Sequence, residues 1–453
     1  MAIENEISYS VNLSQDLLYI ILDSYISKTF SVVDEYHDFV DENNVRSRLS
    51  RGAFSSVLKT CTSLRKMVYV QGDTLVPFVD RHSVESVADA PTANLRRIVK
   101  CRVYQNPERP ECEIKFEHIY KNKNLIDKFD SLMATKQIML WNLLQNKNEN
   151  LVKESHLGSD EIMAAIRLEY EYVDAIDDKV LSFMADIVRR VDAIAAAHNI
   201  NPLLPYTTLQ NNIIYRKFED EKLIYALENV AEVHKWALKL DGVRGKGFFT
   251  RSFVIVFMDD MQIFSGTFPT LFAVNNVVAF QCELVGSVMY ITDILHVFKY
   301  GYNNRTQYEV SMDPYDVAPA CALECINHLA DAHNDNVAGL RLSTFNGGSI
   351  SVKFQRFFDP PVAAGGYTSV PTDGFVVLDT AMRYVKYKQV KTVEVEYDAD
   401  ARVFKTLEGP LPDHSLDLAP TLGPLVHQAI YEAVIRDRHV SILKARPDRL
   451  VPN

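Results

Sequence analysis

The sequence predicts an α+β chain in three parts: strands flanked by helices, then a longer run of short strands, then a small C-terminal segment. Three observations predict it. Ile3–Val11, Cys112–Tyr120 and Ala164–Val173 alternate between apolar and polar residues, which is the period of a strand. Apolar residues fall at helical spacing from Ile126 to Leu144, and again at Leu181, Met184, Val188, Val191 and Ala195. With 453 residues the chain exceeds one ordinary core, and about three domains is the expectation.

Taken in order, the second helix is expected to start at Asp177 and Asp178, because carboxylates suit a helix N-terminus. The polar, proline-bearing segment Asn199-Ile-Asn-Pro202 to Pro205 and Asn211-Asn212 marks a boundary, placed at 205/206. From about Tyr215 to Tyr397, short apolar strands alternate with turns. Examples are Phe253–Phe257, Val277–Val285, Val288–Ile294 and Phe375–Leu378. Phe357-Phe-Asp-Pro-Pro361 through Gly365-Gly366 to Pro371 reads as a long loop. A short segment, 398–453, follows and ends in Arg446-Pro-Asp-Arg-Leu-Val-Pro-Asn453. No internal repeat or low-complexity tract is present.

Composition bounds the function. Apolar residues are 47% and charged residues 24% of the chain, an ordinary globular balance. No apolar run approaches the ~20 residues that cross a bilayer, so no membrane partner is expected. The start, Met-Ala-Ile-Glu-Asn-Glu, is acidic where a signal peptide would be basic and then apolar. The six cysteines are scattered, with no Cys-x-x-Cys pair, which reads as reduced thiols in an intracellular protein. Cys321 and Cys325, one helical turn apart, read as helix packing. A net charge of −11 argues against a protein that coats nucleic acid, but not against one that grips only an RNA end.

The most informative stretch is Lys239-Leu-Asp-Gly-Val-Arg244-Gly-Lys-Gly247. A lysine amine becomes a phosphoryl acceptor when held deprotonated, and neighbouring cations or desolvation favour that form. Gly242 lets the backbone turn tightly beside a nucleotide, and Arg244 is placed to hold ribose or phosphate. A charged surface hairpin with glycine turns would give the same short pattern. Lys239-x-Asp-Gly-x-Arg244 resembles the nucleophile motif of the covalent nucleotidyltransferases, the mRNA guanylyltransferases and polynucleotide ligases. Phe280-Gln-Cys-Glu283-Leu-Val, Met289-Tyr290-Ile-Thr-Asp293-Ile, Asp373-Gly374-Phe-Val-Val and Lys386-Tyr-Lys388 match that family's later motifs, in its order.

The resemblance implies a nucleotidyltransferase domain over 206–397, built of antiparallel sheets and helices. Phosphoryl transfer is mostly positioning and charge neutralisation. Lys386 and Lys388, two apart on a strand, point to one face and can both reach the α-phosphate. Glu283 and Asp373 would supply ribose contact or metal-bound oxygen, and Tyr290 would stack on the base or pack in the strand. Asp373-Gly374 is similar to the capping form, where ligases usually have Glu-Gly. Arg446-Pro-Asp448-Arg449 resembles the last capping motif, whose basic residues and Asp orient pyrophosphate. Here Arg449 stands for the usual lysine, and the domain before it implies a reduced OB-like fold; a solvated charged tail is the alternative.

The N-terminal part carries a second pattern. Glu4 and Glu6 share one strand face, as do Arg167, Glu169 and Glu171, and Glu113, Lys115 and Glu117. Like charges at this spacing repel unless cations sit among them. Hard divalent ions accept several carboxylate oxygens, so Mg²⁺ or Mn²⁺ is the natural partner. Arg46 and Arg48, and Lys100 and Arg102, could face a polyphosphate in the same barrel. The wet face of an ordinary antiparallel sheet would also alternate in charge. The set resembles the triphosphate-tunnel family of metal-dependent RNA triphosphatases, with Ser8 and Val173 where that family's motifs end in a further charged residue. It implies an antiparallel β tunnel over 1–205, with Glu4, Glu6, Glu169 and Glu171 as metal ligands and Arg46, Arg48, Lys115 and Arg167 on the triphosphate.

The two patterns in this order resemble the bifunctional mRNA-capping enzymes of baculoviruses, from Ile3 to Asn453. The resemblance implies removal of the γ-phosphate from the RNA 5′ end, then transfer of GMP from GTP. It also implies other subunits of a viral RNA polymerase as partners and the host nucleus as the place of work. An ATP-dependent polynucleotide ligase and a largely structural polymerase subunit are the rival readings.

Overall fold

The computed structural model describes residues 2–89, 95–121, 162–198, 200, 202–224, 232–303, 307–336, 339–344, 347–363, 370–411, 415–420, 422–436, 439–447 and 449–452. The expected helix Ile126 to Leu144 lies outside them. The chain forms two compact units. The first comprises Met1–Asn212, Pro269–Val278 and His296–Cys321, and the second Ile213–Phe268, Ala279–Leu295 and Ala322–Asn453.

The first unit is built on a closed, wholly antiparallel barrel. Its strands are β1 (Ala2–Leu13), β2 (Ser31–Asp41), β3 (Val45–Ser50), β4 (Ala53–Gln71), β5 (Thr74–Val87), β6 (Leu95–Asn106), β7 (Arg109–Lys121) and β8 (Ile162–Tyr172). They run around the wall in the order β1-β5-β4-β3-β2-β6-β7-β8, and β8 closes on β1 with Ser8 opposite Glu169. Alternation explains the wall. On β1, Ile7, Tyr9 and Val11 are buried on the outer face, while Glu4, Glu6 and Ser8 point into the lumen. The helix Asp178–Ala197, capped by the Asp177 side chain on the Lys179 N–H, buries Leu181, Met184, Val188, Val191 and Ala195. Each of the Leu, Met and Val side chains contributes roughly 1.5–3 kcal/mol.

A linear division at 205/206 does not describe this unit, because two later segments pack within it. The physical reason is Asp192 on that helix, 1% exposed. Its carboxylate accepts the Asn275 N–H at 3.0 Å and the Tyr300 hydroxyl at 2.8 Å. A buried carboxylate without donors would be costly, and these segments supply them.

Three sheets are built mainly from described residues of the second unit. One runs in the order Val233–Leu240, Thr372–Asp379, Tyr384–Lys388, Asp220–Leu223. It packs Trp236, Phe375, Val377, Val385 and Tyr387 together on one face, leaving Lys386 and Lys388 on the other. A larger sheet includes Val243–Phe249, Phe253–Met258, Val277–Val285 and Val288–Phe298. The third sheet contains six strands between Val393 and Ala445, with Val395, Phe404, Tyr431, Ala433, Val440 and Ile442 as its core. Its first strand, Val393–Asp398, straddles the expected 397/398 boundary because Val395 is one of those core residues. In the helix Pro319–His333, Cys325 is buried, and neither it nor Cys321 is part of a disulfide.

Candidate active sites

In the second unit a cavity of about 320 Å³ opens beside Lys239, within the size range of small-ligand sites. Lys239 is the penultimate residue of the strand Val233–Leu240, and its Nζ donates to Asp373 Oδ1 at 2.6 Å. Asp373 is held there by Gly374. That glycine has φ +137°, and an added Cβ would lie 1.8 Å from the Tyr387 carbonyl oxygen. Only glycine allows the strand Thr372–Asp379 to approach so closely. Gly242 serves by a similar closeness, its absent Cβ leaving room for the Leu284 carbonyl oxygen at 2.3 Å. The Gly242 N–H donates to Glu283 Oε1 at 2.9 Å. Burial pushes the Glu283 carboxyl up to about 7, with Asp373 and Asp241 adding to the rise against the pull of the Gly242 N–H and Lys239.

In the same cavity, Lys386 and Lys388 share the expected face. Burial lowers Lys386 below the usual lysine range, and the positive charges of Lys239 and Lys388 reinforce it. Its Nζ sits 4.5 Å from the centre of the Phe218 ring. Lys388 pairs with Glu221 at 3.4 Å. Arg244 also lines the cavity, bonded to Asp259 at 2.8 Å and stacked 4.0 Å over Tyr215. From the third sheet come Glu394, Glu432, Lys444, Arg446 and Arg449. Arg446 pairs with Glu394 at 3.0 Å, and so does Arg449.

Lys239, Arg244, Glu283, Asp373, Lys386, Lys388, Arg446 and Arg449 therefore meet around one cavity. Asp448 lies outside the described residues. Tyr290 is not among the described residues lining the cavity. It stands two residues along its strand from the lining Thr292, roughly 7 Å away. Arg216, Lys444, Glu394 and Glu432 line the same cavity but were not singled out, since none belongs to a short motif. Arg216 grips the buried Asp293 through two nitrogens, at 2.9 and 3.1 Å.

The barrel lumen of the first unit is densely ionic. Glu6, 1% exposed, accepts from Arg81 at 2.7 Å and from Arg167 at 2.9 Å, with Lys59 at 3.4 Å. Burial alone would raise its pKa, but the guanidiniums of Arg167 and Arg81 hold it well below the usual carboxylate range. Glu169 is lowered in the same way, burial being outweighed by Arg167, bonded at 2.6 Å, and by Lys115. Glu4 and Glu171 go the other way: burial raises both, even though Lys59 lies 2.5 Å from Glu4. Arg48 clasps Asp38 at 2.8 and 2.9 Å and stacks 3.5 Å over Tyr36. Arg46 pairs with Glu85 at 3.0 Å.

Thus Glu4, Glu6, Glu169, Glu171, Arg46, Arg48, Lys115 and Arg167 all lie on lumen-facing register positions, with Glu113 and Glu117. Lys100 and Arg102 do not. The barrel pairs Cys101 with Glu117, which turns the residues on either side of Cys101 outward, and Arg102 bonds Glu35 there at 3.0 Å. Lys59, Arg81 and Arg97 were missed. The alternation Arg81-x-Ser83-x-Glu85 carried the same period-two signal. No three of the four expected metal ligands bring an oxygen each within 4.8 Å of one another. Their present partners are ammonium and guanidinium groups. The chemistry of the set, hard oxygens with Glu4 raised partly by the charge of Glu171, still fits a divalent cation.

Residues 4–453 match the family model of Late expression factor 4 (LEF-4). The chain is 48% identical, over all of its length and 98% of the relative's, to the mRNA capping enzyme LEF-4 of Autographa californica nuclear polyhedrosis virus. It is 39% identical, with the same coverage, to the mRNA capping enzyme LEF-4 of Orgyia pseudotsugata multicapsid polyhedrosis virus. Among solved structures, the Mimivirus capping enzyme triphosphatase aligns over 42% of this chain and 88% of its own, at 12% identity and a TM-score of 0.24. The S. pombe Pct1 RNA triphosphatase aligns over 44% and 83%, at 12% identity and the same TM-score. On the full-length family match and the two full-length identities, the chain belongs to the Late expression factor 4 (LEF-4) family.

Proposed function

We propose that this chain is an mRNA-capping enzyme with two separate sites: a metal-dependent RNA 5′-triphosphatase in the barrel and a guanylyltransferase at Lys239. The observation that carries the proposal is the contact of Lys239 with Asp373 inside a cavity that also gathers Glu283, Lys386, Lys388, Arg446 and Arg449. The names of the two full-length relatives support it.

In the second unit, Lys239 Nζ attacks the α-phosphorus of GTP. A P–N bond forms, the bond from the α-phosphorus to the bridging oxygen breaks, and pyrophosphate leaves with the electron pair. Asp373, 2.6 Å from Nζ, orients the amine and accepts its proton. Lys386 and Lys388 neutralise the charge gathering on the α-phosphate. The 5′-diphosphate end of RNA then takes the GMP, and the lysine is released. In the first unit, Arg46, Arg48, Lys115 and Arg167 hold the triphosphate of the RNA end, and water displaces its γ-phosphate. Glu4, Glu6, Glu169 and Glu171 would hold Mg²⁺ or Mn²⁺, which when bound offsets the charge of the phosphates. Work beside other viral RNA polymerase subunits, in the host nucleus, belongs to the same proposal and follows from the family resemblance.

The test is incubation with α-labelled GTP and magnesium or manganese, followed by a denaturing gel. A covalent label is expected with the native chain and none with Lys239→Met. Labelling by ATP alone would overturn the assignment in favour of a ligase.

A further inference from the structure

The cavity contains acids that a site built only to hold phosphate would not need. Glu394 and Glu432 lie directly opposite each other on paired strands, 8% and 7% exposed. Like charges so placed destabilise a sheet. Here they are compensated by the cations beside them. Glu394 pairs with Arg446 and Arg449, both at 3.0 Å, while Glu432 reaches Arg446 at 3.5 Å and Lys444 at 3.6 Å. Lys444 also bonds Asp241, two residues from Lys239. Three cations therefore face three carboxylates within one wall of the cavity.

Any nucleoside triphosphate whose α-phosphate lies at Lys239 must place its outer phosphates on cations lining the same cavity. Lys386 and Lys388 line it with Lys239, Arg244 is bonded to Asp259 and Arg216 to the buried Asp293, and the further cations are Lys444, Arg446 and Arg449. Those three are already satisfied by carboxylates of the chain itself. We propose that Glu394 and Glu432 are positioning residues that compete with pyrophosphate for Arg446, Arg449 and Lys444. They hold the cations in place when the cavity is empty and reclaim them as the leaving group departs. An internal carboxylate offers the same charge-assisted hydrogen bonds as a phosphate oxygen. Binding is thereby an exchange of partners, and the affinity for the product is set low enough for it to leave. A phosphate site without such acids would hold pyrophosphate and favour the reverse reaction, in which pyrophosphate attacks the lysyl-GMP adduct and regenerates GTP.

The inference rests on the guanylyltransferase reading, and one experiment separates the two. The full chain is loaded with labelled GMP, freed of nucleotide, and titrated with inorganic pyrophosphate while label released as GTP is followed. Glu394→Gln and Glu432→Gln, each near-isosteric, are expected to lower the half-saturating pyrophosphate concentration by about tenfold, as removal of one competing charge-assisted bond would. A purely structural role predicts the opposite sign, a looser site for GTP and pyrophosphate alike. An unchanged or raised half-saturating concentration overturns the inference. Where a variant folds but does not load, calorimetric titration of inorganic pyrophosphate into the unloaded chain decides the same point. Glu432→Gln alone leaves the Arg449–Glu394 pair in place and serves if Glu394→Gln does not fold. Failure of the native chain to load GMP would instead count against the guanylyltransferase reading.

Discussion

At the scale of single residues, Glu283 shows what burial does to a motif acid. Its carboxyl is raised from 4.5 to about 7, first by burial, so the folded chain holds its proton more tightly than the unfolded chain does. The associated stability is present below pH 4.5 and is lost as pH rises through about 7. Glu283→Gln, which keeps an acceptor for the Gly242 N–H, is therefore expected to match the native chain near pH 4. At pH 8 it should exceed the native chain by about 3 kcal/mol in urea unfolding. Equal stabilities at pH 8 would show that the carboxyl is not raised. That Glu283, Lys239 and Asp373 would meet was legible because their short motifs carry residue types that phosphoryl transfer requires. Arg216 and Lys444 were illegible, because an isolated cation has no local pattern and its partners lie 77 and 203 residues away.

At the scale of elements, period-two alternation located the carboxylate-bearing strands of the barrel but could not say which face was which. Arg46, Arg48 and Arg102 have the same local character, yet only the first two face the lumen, since orientation depends on pairing register. The C-terminal sheet was hidden for another reason: its strands are short and its core residues meet only after pairing. Gly374 ties strand geometry to chemistry. Gly374→Ala would force a Cβ against the Tyr387 carbonyl at a φ that side chains rarely adopt. The strands carrying Asp373 and Lys388 would have to part. A loss of about 3 kcal/mol is expected, together with loss of GMP labelling at temperatures where the variant remains folded. A variant with native stability and labelling would mean that the close approach is not needed.

At the scale of the whole molecule, the two ionic sites belong to different compact units, and their activities should be separable. Lys239→Met is expected to abolish GMP labelling while phosphate release from triphosphate-ended RNA continues unchanged. Glu6→Ala is expected to do the reverse, cutting phosphate release at least a hundredfold. Loss of both activities in either variant, with native circular dichroism, would refute separate sites. The sequence by itself determined the chemistry available: a motif lysine, its acids, a lysine pair, and rows of alternating carboxylates and guanidiniums. Those properties are local, set by residue type and by a spacing of two. Only the tertiary structure decided that β8 closes on β1 and that Asp192 draws segments near residues 275 and 300 into the first unit. It also decided that Glu394 and Glu432 stand opposite each other beside Arg446. Such outcomes depend on buried charges finding partners across tens to hundreds of residues, and low dielectric makes every unpaired candidate costly.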